Sequence, residues 1–170
     1  GFCYPLMDVE AMSYAKSRNG HFLIFGTAHP NIPKTESQIT EIQQFCYRKL
    51  EELAKVYPNI ILSDELIWHH SKKQENFWQD LTDRLEKINC QLRVIVYLRR
   101  QDQLVQSLWK QGVKSGLQTS CTFDKYIQKK RYRYFPLDYY AHLKEIEKFV
   151  GKDNLLVRVY ESGQYEGEDR

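Results

Sequence analysis

Two adjacent arginines, Arg99 and Arg100, follow the most apolar run of the chain and precede a helical pattern that carries Ser107. Guanidinium forks match phosphate oxygens in pairs. A helix start adds unbonded N–H groups and the positive end of a dipole. Together these residue types make an anion site. Ser107 lies about two helical turns further on, roughly 9–12 Å along the axis at 1.5 Å per residue. It joins the same anion only if the ligand lies alongside the helix. Asp102, in the first turn, would cap the helix and orient an arginine. The same residues also read as surface salt bridges beside a solvated serine.

Other residues offer weaker chemistry. After a short β-branched run comes Ser63-Asp64-Glu65. Glu65 is a candidate general base for an acceptor hydroxyl, and Ser63 a candidate contact for an acceptor or a phosphate. The alternative is a cap, with Ser63 or Asp64 starting a helix through Leu66 and Trp68. His21 follows Asn19-Gly20 and could face an acceptor, although a lone histidine also serves structure. His69 and His70 are adjacent and lack acidic or cysteine partners at zinc spacing, so no metal site is expected. Lys125, Lys129, Lys130, Arg131 and Arg133 are interleaved with Tyr126, Tyr132 and Tyr134. Lys129 and Arg131 are the candidates there for an anionic glycan or an outer phosphate; a solvated basic face is the plainer reading. Lys114 and Ser115 could extend the phosphate contacts. Arg158 points away from Val157 and Val159, toward either Glu161 or a crevice.

The elements that position these residues follow from periodicity. Ile39, Ile42, Phe45, Cys46, Leu50 and Leu53 recur at three- and four-residue steps, predicting a helix from Glu36, capped by Thr35 or Ser37 and ended by Pro58. Phe77, Leu81, Leu85 and Ile88 form a second helical stripe. Gln101 to about Lys114 reads as a helix with Gly116 as its stop. Thr122–Lys130 is a weaker helix, and Leu137–Val150 another, closed by Gly151. Asn59–Leu62, Leu92–Leu98 and Asn154–Tyr160 read as strands. The apolar continuity of Leu92–Leu98 predicts cover on both faces. His21–Phe25 reads as strand or helix segment, and Pro30 and Pro33 break whatever precedes them. Strands alternating with helices predict a three-layer α/β fold with a mainly parallel sheet, in one domain spanning 1–170. Ligands in such sheets sit beyond the strands' carboxyl ends, here just after Leu62, Leu98 and Tyr160.

Composition sets the bounds. A hydrophobic share of 42% is ordinary for a globular chain. A net charge of +3 is too small to argue for nucleic-acid binding and suits a small anionic ligand. Twelve tyrosines suggest wet, amphipathic grooves, since the ring packs while the hydroxyl stays bonded. Cys3, Cys46, Cys90 and Cys121 include no C-x-x-C pair, with Cys46 on the apolar side of a helix. They read as reduced thiols in an intracellular, cytoplasmic protein. No segment reaches the ~18 apolar residues of a membrane span, and no signal peptide opens the chain. The opening Gly1-Phe2-Cys3-Tyr4-Pro5 and the close Glu166-Gly167-Glu168-Asp169-Arg170 read as truncations at both ends.

The run Val94 to Gln111 resembles the sulfotransferase signature, in which a strand delivers an arginine and a serine follows eight residues later. Arg99 and Ser107 have that spacing, and Arg100 takes the arginine's part if the register differs by one. The fuller pattern through Lys114, Ser115 and Gly116 resembles a bacterial, glycan-linked branch of that family, as do the opening segment and Asn154 to Gly167. The resemblance implies a P-loop nucleotide-kinase-like fold and transfer of a sulfuryl group from 3′-phosphoadenosine 5′-phosphosulfate (PAPS) to a hydroxyl or amine of a carbohydrate. It implies that Arg99, Arg100, Ser107 and Lys114 face the nucleotide, and that no metal is needed. The family's glycine- and threonine-rich 5′-phosphosulfate loop has no counterpart here. The nearest text, Phe25-Gly26-Thr27 to Lys34-Thr35-Glu36-Ser37, is broken by two prolines and lacks a second glycine, so it cannot wrap an anion. The expectation is a loop lying upstream of Gly1 and an isolated chain that is inactive. Two alternatives stand beside this reading. One is a non-catalytic nucleotide- or glycan-binding remnant. The other is a P-loop phosphotransferase, for which Asp64 is the available metal-binding acid.

Overall fold

In the computed structural model, which describes residues 1–7, 18–25, 35–116, 121–130, 132 and 136–160, the chain is a mixed α/β protein, mostly helical, whose described strands pair in parallel. It divides into two units, Gly1–Gln91 and Leu92–Arg170.

The first unit is organised by α1 (Glu36–Ala54). Of the two caps that the sequence offered, Thr35 is the one used, and it forms a capping box with Gln38. Thr35 Oγ1 accepts from the Gln38 N–H at 3.2 Å, and Gln38 Oε1 accepts from the Thr35 N–H at 2.9 Å. Two otherwise orphaned donors are thereby satisfied reciprocally. Cys46 and Leu50, one helical turn apart, are buried, whereas Phe45 on the flank of the stripe is exposed. Against this face lies a single 3-10 turn, His21–Ile24, all four of whose residues are buried. Phe22 meets Tyr47 edge-on with ring centroids 5.3 Å apart, and its carbonyl accepts from Gln43 Nε2. The apolar run at His21–Phe25 is therefore helical, too short to show a period.

Strand β1 (Phe2–Cys3) pairs in parallel with β2 (Asn59–Ile60), and Ile61 N–H donates to Cys3 O at 2.8 Å. The expected buried strand Asn59–Leu62 is thus shorter than its β-branched run, and Ile61 is exposed. After β2 come α2 (Ile67–His70), a 3-10 turn at Ser71–Lys73, and α3 (Phe77–Glu86), which buries Phe77, Trp78 and Leu81. Asn89, at a φ of 54°, ends this helix in the left-handed conformation, and Cys90 N–H closes back on Leu85 O.

In the second unit, β3 (Val94–Leu98) pairs in parallel with β4 (Leu155–Val159), Leu98 lying opposite Val159. Helix α4 (Gln101–Lys114) leaves β3 after only two residues. Gly116 then takes a φ of 77° that other residues rarely adopt, and so stops it. Thr122 caps α5 (Phe123–Gln128). Asp138 caps α6 (Tyr139–Val150), whose His142, Ile146 and Val150, spaced by four, are buried; Gly151, at φ 79°, ends it. A 3-10 turn at Lys152–Asn154 leads into β4.

One expectation about β3 is corrected. Cover on both faces was predicted, but Ile95 is 58% and Tyr97 56% exposed. A continuous apolar run records which side chains are present, not how many neighbours they meet. Among the described residues β3 has one strand beside it, and its burial alternates with the pleat.

Candidate functional site

The β3–α4 junction places Arg99 and Arg100 as the two residues between the last rung of a parallel strand and the first turn of a 14-residue helix. Arg100 is the cap residue of α4, and its carbonyl accepts from Leu104 N–H at 2.9 Å. The N–H groups ahead of Leu104 precede the helix's own bonding pattern and so form the donor end of its dipole.

The two arginines have different fates. Arg100 grips Asp102 in a two-pronged pair, Nε to Oδ1 at 3.2 Å and Nη2 to Oδ2 at 2.9 Å, both side chains two-thirds exposed. Arg99 makes no carboxylate pair among the described residues. Its guanidinium carbon stands 4.5 Å from the centroid of the Tyr160 ring, and its carbonyl accepts from Tyr139 Oη at 2.8 Å. Burial pushes the Tyr139 phenol above its ordinary range, with Arg99 opposing the shift. The phenol therefore stays a neutral donor at neutral pH.

Ser107 is the seventh residue of α4, about 9 Å along the axis from its start, and half-buried. No bond links it to either arginine. Lys114 shares its stripe, two turns on, but sits about 20 Å from the helix start. It cannot hold the same phosphate as Arg99. The serine is off the buried line of α4, which runs through Val105 and Gly112.

The basic cluster is only partly described. Lys129 is exposed at the end of α5, and Lys130 follows at a φ of 50°. Arg131, Arg133 and Tyr134 lie outside the described residues, as do the segment from Gly26 to Lys34 and Glu161. Tyr126, one of the tyrosines interleaved with this cluster, is wholly buried 6.3 Å from the Tyr132 ring. It packs a helix instead of lining a groove. Arg158 is exposed and donates to Val157 O at 3.5 Å.

In the first unit the residues after β2 form a tight polar knot. Asn19 bridges two chain segments: its Nδ2 donates to Ile61 O at 2.8 Å and its Oδ1 accepts from Ser63 N–H at 2.7 Å. Gly20 N–H donates to Ser63 O at 3.1 Å, and a side chain at Gly20 would meet the Ser63 backbone at 3.2 Å. His21 Nδ1 and Asp64 Oδ2 are 2.6 Å apart with both side chains fully buried. Asp64 Oδ1 also accepts from Leu66 N–H at 2.6 Å, and Arg18 approaches the same carboxylate at 3.8 Å. So Asp64, not Ser63, makes the local turn bond.

His21 is therefore inside the structure, where it cannot meet an acceptor from solvent. Ser63 is exposed, its backbone held on both sides. The Glu65 side chain is 76% exposed and lies 3.5 Å from Arg18 Nη1. Sequence reasoning missed the His21–Asp64 pair and the two tyrosines at Arg99. Partners so far apart in the chain leave no signal in local spacing.

Elsewhere in this unit a cleft of about 440 Å³ runs along α1 and α3, lined by Tyr47, Leu50, Glu51, Asp83, Arg84 and Ile88 among others. Arg84 stacks over Tyr47 at 4.6 Å. None of the sequence candidates lines it. Among the described residues no group of three His, Cys, Asp or Glu side chains is placed to hold a metal ion, and no helix is long and apolar enough to cross a membrane. No protein-family model, no curated protein and no solved structure matches the chain.

Proposed function

We propose that this chain is a sulfotransferase-like α/β domain of the P-loop nucleotide-kinase-like kind, and that its β3–α4 junction binds the 3′-phosphate of PAPS. The observation that carries the reading is Arg99. It stands where a parallel strand gives way to a helix N-terminus, held by its ring contact to Tyr160, with no carboxylate among the described residues taking its N–H groups. Phosphate recognition asks for such a fork beside unbonded helix amides. Ser107 joins if the nucleotide lies along α4, as its distance along the axis requires.

The reaction on this reading is in-line attack of a carbohydrate hydroxyl or amine on sulfur, with 3′-phosphoadenosine 5′-phosphate leaving. Positive groups on the sulfonate and on the bridging phosphate carry such a transfer. Among the described residues no glycine-rich loop supplies them, and these residues acting alone are inactive on this account. Glu65, exposed after β2, is the side chain proposed to take the acceptor proton, and Ser63, Lys129 and Arg131 are the sequence candidates for acceptor contacts.

A second reading, a non-catalytic nucleotide- or glycan-binding domain, is favoured by the two candidate bases: His21 is buried away from any acceptor, and Glu65 is open to solvent. Both readings share the nucleotide. Calorimetric titration of 3′-phosphoadenosine 5′-phosphate should show weak binding that Arg99→Ala and Ser107→Ala each reduce, and adenosine 5′-phosphate should bind more weakly still. Equal binding of the two nucleotides, or indifference to both substitutions, removes the assignment. Sulfuryl transfer by the chain when joined to a 5′-phosphosulfate loop separates enzyme from binding domain.

A further inference from the structure

We infer that Tyr160 is a positioning residue for the Arg99 fork, so that Arg99 and not Arg100 is the phosphate ligand; this rests on the nucleotide reading of the β3–α4 junction. Leu98 lies opposite Val159 in the β3–β4 ladder, and Tyr160 N–H donates to Leu98 O at 2.8 Å. The ladder is thereby extended one step, and Tyr160 stands beside Arg99. Its ring lies under the guanidinium at 4.5 Å. From the first turn of α6, Tyr139 Oη holds the Arg99 carbonyl at 2.8 Å. One tyrosine therefore fixes the backbone of Arg99 and the other its side chain.

The chemistry of the two contacts decides between the arginines. A stack on an aromatic face uses the plane of the guanidinium and leaves the N–H edge free to donate. A two-pronged carboxylate pair consumes that edge, and Asp102 consumes it at Arg100. To bind a phosphate, Arg100 must first give up Asp102. Among the described residues no carboxylate competes for the Arg99 edge, and the stack has already removed part of the rotamer freedom that a free arginine loses on binding. Tyr160 does not touch the ligand on this account. It acts through Arg99.

The test is titration of the whole chain with 3′-phosphoadenosine 5′-phosphate, with circular dichroism and thermal melts as controls on folding. Tyr160→Phe keeps the ring and should leave the affinity within about twofold. Tyr160→Leu keeps apolar bulk without the π face and should weaken binding about 3- to 10-fold, the range of an exposed to partly desolvated cation–π contact. In an Arg99→Ala background, Tyr160→Leu should weaken nothing further. Asp102→Ala should leave affinity unchanged or raise it. The inference is overturned if Tyr160→Leu binds like the parent, if Tyr160→Phe loses as much as Tyr160→Leu, or if the loss persists without Arg99. If instead the parent binds and Arg99→Ala is indifferent, the nucleotide reading itself fails, and the inference with it.

Discussion

His21 Nδ1 lies 2.6 Å from Asp64 Oδ2, two fully buried side chains 43 residues apart that tie the turn before α1 to the segment after β2. Asp64 also holds Leu66 N–H, and Asn19 next to this pair bridges Ile61 and Ser63. The knot shapes the exposed Ser63 and Glu65 from below. A buried polar group that loses its partner retains its desolvation cost. Asp64→Ala should therefore lower stability by ~3 kcal/mol, and Asp64→Asn, which keeps an acceptor and the volume, by less. Urea unfolding of the whole chain measures both. An Asp64→Ala chain as stable as the parent would mean that the pair holds nothing together.

His69 gives the fold a response to acid. Burial, with Lys73 and His70 adding repulsion, lowers its pKa from the ordinary 6.5 to about 4. The unfolded chain then binds the extra proton first. The stability attached to this group is full above pH about 6.5 and is lost as pH falls toward about 4. His69→Gln should flatten that part of the profile, read as the change in urea midpoint between pH 7 and pH 4.5. Identical slopes for parent and variant would remove His69 as a cause.

Cys46 separates from the other three thiols. It sits on the buried face of α1, and burial raises its pKa to about 11, only partly offset by Lys49. Cys3, Cys90 and Cys121 are partly exposed. The reactive species is the thiolate, so an aromatic disulfide reagent at pH 8 should label three thiols in the native chain and the fourth only in denaturant. Four equally fast reactions in native buffer would show that the α1 face carrying Cys46 is not covered.

What the sequence made legible was local. A cap at Thr35, one of the two offered, and the helix Gln101 through Lys114 with its stop at Gly116 are patterns complete within a few turns, and both stand in the structure. The strands at β3 and β4 were legible from β-branched runs, but the cover over Ile95 and Tyr97 was not, because cover depends on distant chain. The same holds for the two arginines. Their order is visible in sequence, whereas the ring contact that sets Arg99 apart comes from Tyr160, which reaches it only through the β3–β4 register. Asp64 could be read as a local cap, but its burial against His21 required a contact across 43 residues.

The central claim is a location: a nucleotide phosphate at the head of α4, against Arg99. Backbone amide shifts recorded while 3′-phosphoadenosine 5′-phosphate is titrated into the chain test it most directly. The account predicts the largest shifts at Arg99 through Gln103, with smaller ones at Ser107 and Tyr160, all fading as salt is raised. Saturable shifts confined to the α1–α3 cleft, with the Arg99–Gln103 amides unmoved, would contradict it.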